Sequence, residues 1–230
     1  MGDGAAQRLL LNHGPTRLKG PGLTDQAQPT RFSDQEFDNM KLLAISGSTR
    51  RESTNTALLM AMQDYLPPGA ELSVVAWLDK LPVFSPDAEH GALPAPVARF
   101  IELVSRADGI IIASPEYVHA LPGGLKNAID WMVSRFEVIG KPIAIAHASH
   151  RGEDMLASLR LVLSTISEGF LDSAFLRIPL VGKSPEDVKT TLQTPDNEAA
   201  ITQFLATVVA SIRSTLTPAT PAPASPPESR

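Results

Sequence analysis

Asp108 to Ser114, reading DGIIIAS, constrains the fold more than any other segment. Three consecutive isoleucines leave this stretch no polar face. A strand apolar on both sides belongs in the interior of a parallel sheet covered by helices on either face. Pro115 stops it, because a proline cannot extend the hydrogen-bonded ladder.

The rest of the chain follows the same alternation. Strand-like runs are expected at Lys41 to Ser46, Glu71 to Trp77, Lys141 to His147 and Leu171 to Ile178. Helical spacing is expected over Thr56 to Leu66, Ala95 to Arg106, Leu125 to Phe136, Met155 to Glu168 and Asn197 to Arg213. Strands alternating with helices, without internal repeats, predict an α/β fold: a flavodoxin-like doubly wound five-stranded parallel sheet with helices on both faces. Asp79 to Pro94 is a long Pro-containing connection whose length suits a lid or a partner surface.

The ends read differently. Residues 1–39 have scattered apolar residues without periodicity and are expected to be a disordered extension. Residues 214–230 form a Pro/Ala-rich tail expected to be extended and disordered. Residues 40–213 remain as one domain, large enough to bury a core unaided. With no cysteine, the chain excludes disulfides, thiolate catalysis and Cys-ligated metals. No apolar run approaches the ~20 residues of a membrane span, and Met1 to Gln28 lacks a signal-peptide layout, so the expected location is cytoplasmic with no membrane partner. A formal charge of −5 argues against nucleic-acid binding, which needs a basic face.

In a doubly wound sheet, ligands sit beyond the C-terminal strand ends. Three polar loops fall there: Gly47 to Asn55, Pro115 to Gly124 and Ala148 to Asp154. The first crowds hydroxyls, two arginines and an amide ahead of a helix. A helix N-terminus presents unpaired N–H groups and partial positive charge, so a phosphate fits; an ordinary polar loop with Ser or Asn as the N-cap is the other reading. The segment matches neither the P-loop nor the dinucleotide fingerprint.

These residues carry a family likeness. GSTRRESTNT, residues 47–56, resembles the GSxRxxSxN opening of the NADPH-dependent FMN reductases, and SPEYVHALPGGLKNAIDW, residues 114–131, resembles their PEYN…PGxLKNAxDW segment. The likeness covers about Lys41 to Ile178. It implies that Ser48, Arg50, Ser53, Asn55 and Thr56 surround an FMN phosphate, and that Pro115, Glu116 and Tyr117 line the flavin ring, mainly through the backbone. Val118 stands where the family usually has Asn, leaving only backbone donors there. The third loop, His147 to Gly152, lacks the family's usual paired glycines; Ser149 and Gly152 remain its candidates.

The resemblance implies an NAD(P)H-dependent FMN oxidoreductase passing electrons to a quinone, azo compound, nitro compound or metal ion in a ping-pong cycle. The flavin carries the chemistry, so no catalytic side chain is expected. Release of reduced FMN to a partner monooxygenase and flavodoxin-type electron carriage are the rival readings. A homodimer or homotetramer is likewise implied. His147 and His150 are spaced like a metal pair, but they sit at a strand end without an obvious third ligand, so no metal site is expected. In the LKNAIDW helix, Asn127 is expected to tie the PEY loop to the helix start, Asp130 to pair with Lys126, and Trp131 to pack in the core or at a subunit contact.

Overall fold

The computed structural model describes residues 39–89 and 91–216. The expected N-terminal extension and C-terminal tail lie outside the described residues, apart from Asn39 and residues 214–216, as does His90 in the long second loop.

Five strands form one parallel sheet: β1 (Met40–Ser46), β2 (Ala70–Val75), β3 (Gly109–Ala113), β4 (Ile143–His147) and β5 (Phe170–Arg177), in spatial order β2-β1-β3-β4-β5. This is the expected flavodoxin-like order. All five residues of β3 are buried, as are all five of β4. Asp108 fixes the register of β1 against β3: its Oδ2 accepts from Lys41 N at 2.7 Å and its own N–H donates to Lys41 O at 2.7 Å.

Alternate strand residues feed two cores. On one face Leu42, Ala44, Ile111 and Ala146 pack with α1 (Thr54–Ala61) and α6 (Pro195–Leu216). On the other, Leu43, Ile45, Ile110, Ile112 and Ile145 pack with α2 (Ala95–Arg106), α3 (Gly123–Asp130) and α4 (Glu153–Ile166). The chain leaves β1 in one direction to reach β2 and returns past it to β3. The topological switch therefore falls between the C-terminal ends of β1 and β3, where the crevice of such a sheet opens.

Helix α2 occupies the expected residues. Its last carbonyls are held by Lys141, whose Nζ donates to Val104 O at 2.8 Å, Ser105 O at 3.3 Å and Ala107 O. Burial pulls this lysine below its ordinary pKa, offset by Asp108 and Glu137, and a cation at a helix C-terminus complements the dipole.

Three helical expectations need correction. A sixth α-helix, α5 (Pro185–Leu192), lies in the stretch between the fifth strand and the last helix, where no element was expected; Ser184 caps it by accepting from Asp187 N at 3.2 Å, with Pro185 opening its first turn. Helix α3 ends at Asp130 rather than Phe136, since after the buried Trp131 and Met132 the side chains Val133 and Phe136 face solvent. Helix α6 is longer than expected. A window of it, at mean hydropathy 1.3, passes for a membrane span by length and composition alone, as the core helix of a globular domain also can. Its stripe of Ile201, Phe204, Leu205, Val208 and Ile212 nevertheless belongs to the core.

Asn127 does not tie the PEY loop. Its Oδ1 accepts from Phe84 N at 2.7 Å and its Nδ2 donates to Pro82 O at 2.9 Å, which pins the long β2–α2 connection instead. Trp131, fully buried, donates from Nε1 to the same Pro82 O at 2.9 Å and meets Phe84 edge-on at 5.1 Å. Lys126 and Asp130 form the expected i,i+4 pair.

Candidate functional site

Beyond the strand ends lies a cleft of roughly 660 Å³, within the usual range of small-molecule sites. All three polar loops reach it, joined by a fourth segment between β5 and α5 that contributes Val181, Gly182 and Lys183.

The first loop is shaped by close packing. Gly47 N donates to Ala113 O at 2.7 Å, and a Cβ on Gly47 would come within 2.7 Å of Ser114 Oγ, so only glycine lets the exits of β1 and β3 approach this closely. Ser48 is buried, and its Oγ accepts from Arg50 N at 3.3 Å. Ser53 is the N-cap of α1, its Oγ accepting from Thr56 N at 3.3 Å. That bond uses one of the helix's orphan donors and leaves the first amides, those of Thr54 and Asn55, for a ligand.

Asn55 gives the sharpest sign of a missing partner. It is only 6% exposed, it lines the cleft, and its Oδ1 has no hydrogen-bond partner. An orphaned buried polar atom costs about 1–3 kcal/mol. That oxygen is itself closed to the cleft, so a turn of the amide is what brings a polar atom of Asn55 to a ligand, Nδ2 to an anion or Oδ1 to a hydroxyl.

Among the predicted residues, the structure brings Ser48, Arg50, Ser53, Asn55, Pro115, Glu116, Tyr117 and Ser149 to this one cleft. Two are not among its lining. Thr56 faces an adjoining groove, and its Oγ1 is bonded to Ser46 Oγ at 2.8 Å, a strut beneath the loop. Val118 points into solvent at 95% exposure.

Val118 and His119 form the tip of a two-residue hairpin in which Tyr117 and Ala120 exchange N–H···O bonds of 3.1 and 3.0 Å. Both tip residues have positive φ, 52° and 58°, the pattern of a type I′ turn that favours Asn or Gly. A β-branched residue there is strained. Val118→Asn is expected to raise stability by about 1 kcal/mol in urea unfolding, as strain is relieved and no buried contact is lost. A loss of stability would mean that the isopropyl group holds the turn.

Glu116 joins the second loop to the third. Its Oε2 accepts from Met155 N at 3.0 Å, capping α4 at a position where the N-cap residue, Gly152, has no side chain to do so. Gly152 takes φ 102°, and a Cβ there would touch the His147 ring at 3.2 Å. His147 is buried; its Nε2 donates to Arg151 O, its Nδ1 is unpartnered, and burial lowers its pKa so that the neutral ring is favoured. That bond commits His147 to shaping the loop. Ser149 Oγ accepts from Arg151 N at 3.0 Å. His119 bonds Asp154 at 2.6 Å, and with Glu116 these residues bring three ligand atoms within 4.8 Å, a grouping that sequence spacing did not reveal.

Three cations stand against two carboxylates, Glu52 and Glu116, in the lining of the cleft. Arg50, Arg151 and Lys183 line it, and none has a carboxylate partner among the described residues. Lys183 was missed in the sequence, although VGKSPED follows the fifth strand and so had to emerge at the same end of the sheet as the other loops.

Comparison with known proteins gives a consistent result. Residues 40–176 match the family model of the NADPH-dependent FMN reductases. The NAD(P)H-dependent FMN reductase PA1204 of Pseudomonas aeruginosa is 40% identical over 114 residues, 49% of this chain and 61% of that one. The NADH:(hydroxy)cinnamate reductase subunit CrdA of Vibrio ruber is 38% identical over 112 residues, 48% and 54% of the two chains. The matched region thus spans little more than half the length of these relatives. Among solved structures, the flavoenzyme FerB of Paracoccus denitrificans shares the fold, with a TM-score of 0.61 at 22% identity over 76% of this chain and 98% of its own.

Proposed function

The chain belongs to the NADPH-dependent FMN reductase family, and from that membership we propose that it is an NAD(P)H-dependent FMN oxidoreductase serving a small acceptor such as a quinone. The observation that carries this reading is the buried, unpartnered Asn55 Oδ1 beside the N-terminal amides of α1 that the Ser53 cap leaves over. In the proposal Arg50, Ser48 and the α1 amides hold the FMN phosphate, and Asn55 takes a ribityl hydroxyl or a phosphate oxygen. Pro115, Glu116 and Tyr117 border the flavin ring, with the Glu116 carboxylate spent on Met155 N, so that backbone atoms and the Tyr117 ring face the ligand. Ser53 and Thr56 act through the loop, one as cap and one as strut.

Bound FMN supplies the redox chemistry, taking up a hydride and yielding electrons to the acceptor. The protein's part is placement. The second and third loops, locked together by Glu116 and Met155, hold fixed walls around the ring. No side chain needs to enter the reaction covalently. The cleft opens to solvent on the side of Tyr117 and His119, both exposed, which gives acceptors of different shapes access.

A homo-oligomer in the cytoplasm completes the proposal. Val133 and Phe136, at 63% and 86% exposure beyond the end of α3, offer apolar area to a second copy.

The test is anaerobic. Purified protein mixed with FMN should retain a flavin spectrum through gel filtration, lose it on adding NADPH, and regain it on adding a quinone. Failure to bind FMN saturably would overturn the proposal. Binding without retention would favour FMN as a substrate, and retention without bleaching would favour an electron carrier.

A further inference from the structure

The cleft and its surroundings hold more positive charge than one phosphate monoester calls for. A bound FMN phosphate carries up to two negative charges, and the α1 amides with Arg50 already answer them. Of the cations that remain, Arg151 lies within the cleft itself; the other two are Arg51 and Lys183, neither with a carboxylate partner among the described residues. Both line a second groove of roughly 270 Å³ between α1 and α5. It is continuous with the cleft, sharing Arg50, Ser53 and Lys183.

The floor of this groove is apolar: Ala57 and Met60 from α1, Pro185 and Val188 from α5. Met60 is 46% exposed on a helix whose other large apolar residues, Leu58 and Leu59, are fully buried. An apolar slot rimmed by two cations suits a planar base attached to a phosphate. Glu52 is the one carboxylate on the same lining.

We propose that this groove binds the adenosine 2′-phosphate end of NADPH, with the adenine against Met60 and Val188 and the 2′-phosphate between Arg51 and Lys183. The inference rests on the oxidoreductase reading and adds to it a site and a cofactor preference. A 2′-phosphate pairs both cations, whereas the 2′-hydroxyl of NADH leaves them solvated. Discrimination then comes from the rim, and the apolar floor contributes equally to both dinucleotides.

The test titrates FMN-loaded protein with adenosine 2′,5′-bisphosphate and, separately, with adenosine 5′-monophosphate by calorimetry, which needs no turnover. The bisphosphate should bind about tenfold more tightly or better, the scale of one charge-assisted contact. Arg51→Ala combined with Lys183→Ala should erase that difference, and Met60→Asp should weaken both ligands. In steady state Arg51→Ala alone, at a position outside the lining of the flavin cleft, should lower the ratio of kcat/KM for NADPH over NADH about tenfold at unchanged flavin content. Equal affinity for the two nucleotides in the unmodified protein, or a difference that survives the double variant, would overturn the site. Bisphosphate binding without flavin reduction by NADPH would leave the groove in place and remove the oxidoreductase reading.

Discussion

Replacing Trp131 with alanine is expected to cost about 3–5 kcal/mol of stability, the range for truncating a large buried aromatic side chain. Trp131 is fully buried, anchors the end of α3, and holds the β2–α2 connection by two different contacts: the Nε1 bond to Pro82 O and the edge-on packing against Phe84. Alanine removes both and leaves a cavity. Trp131→Phe separates them, since it keeps most of the volume and loses the hydrogen bond. Its cost should be nearer 1 kcal/mol, because Pro82 O still accepts from Asn127 Nδ2. Urea unfolding measures both. A loss under about 1.5 kcal/mol for the alanine variant would mean that the loop collapses into the space and that the ring is dispensable. The contacts also bear on the long loop itself. Asn127 and Trp131 tether its middle and Ser134 bonds Glu89 near its end, so a segment that by length suited a lid is anchored at several points.

What could be read from sequence was whatever depends on local pattern. The isoleucines of β3 required burial on both faces, which forced a parallel sheet and with it the placement of three loops at one end. The bounds of α2 were legible because Pro94 and Pro96 mark its start and its apolar residues recur at helical spacing. What escaped depends on partners far along the chain. Asn127 was correctly read as structural, but its partners lie more than forty residues away, and nothing local points to them. Helix α5 is mostly polar, with Val188 and Leu192 its only buried residues, so periodicity was silent; the Ser-Pro-Glu-Asp start signal was the available clue. Missing α5 meant missing Lys183 and the groove beside it. The hairpin tip carries Val-His where a type I′ turn prefers Asn-Gly, so its turn chemistry misleads a reader of the sequence. Thr56 sits on the correct helix at the correct turn, but its hydroxyl is turned inward to Ser46, an orientation that spacing alone does not determine.

Arg50→Ala is expected to weaken FMN binding by about 1.5–3 kcal/mol, the value of a hydrogen bond to a charged group, or roughly ten- to more than a hundredfold in Kd. Arg50 is exposed, lines the cleft, and forms no ion pair among the described residues, so its removal should leave the ligand-free fold within about 0.5 kcal/mol of the parent. The two effects are therefore separable. Thermal denaturation without FMN should match the parent, while the shift produced by a fixed FMN concentration should shrink, because ligand stabilisation follows the ratio of concentration to Kd. Arg50→Lys tests geometry against charge: a lysine restores the cation without the planar fork, so partial rescue indicates a bidentate contact and full rescue a point-charge one. Asn55→Leu removes a buried amide whose Oδ1 has no partner in the free protein, so it should weaken FMN binding without the stability loss expected for deleting a satisfied polar group. If both variants bound FMN as the parent does, the loop ahead of α1 would be rejected as the phosphate site.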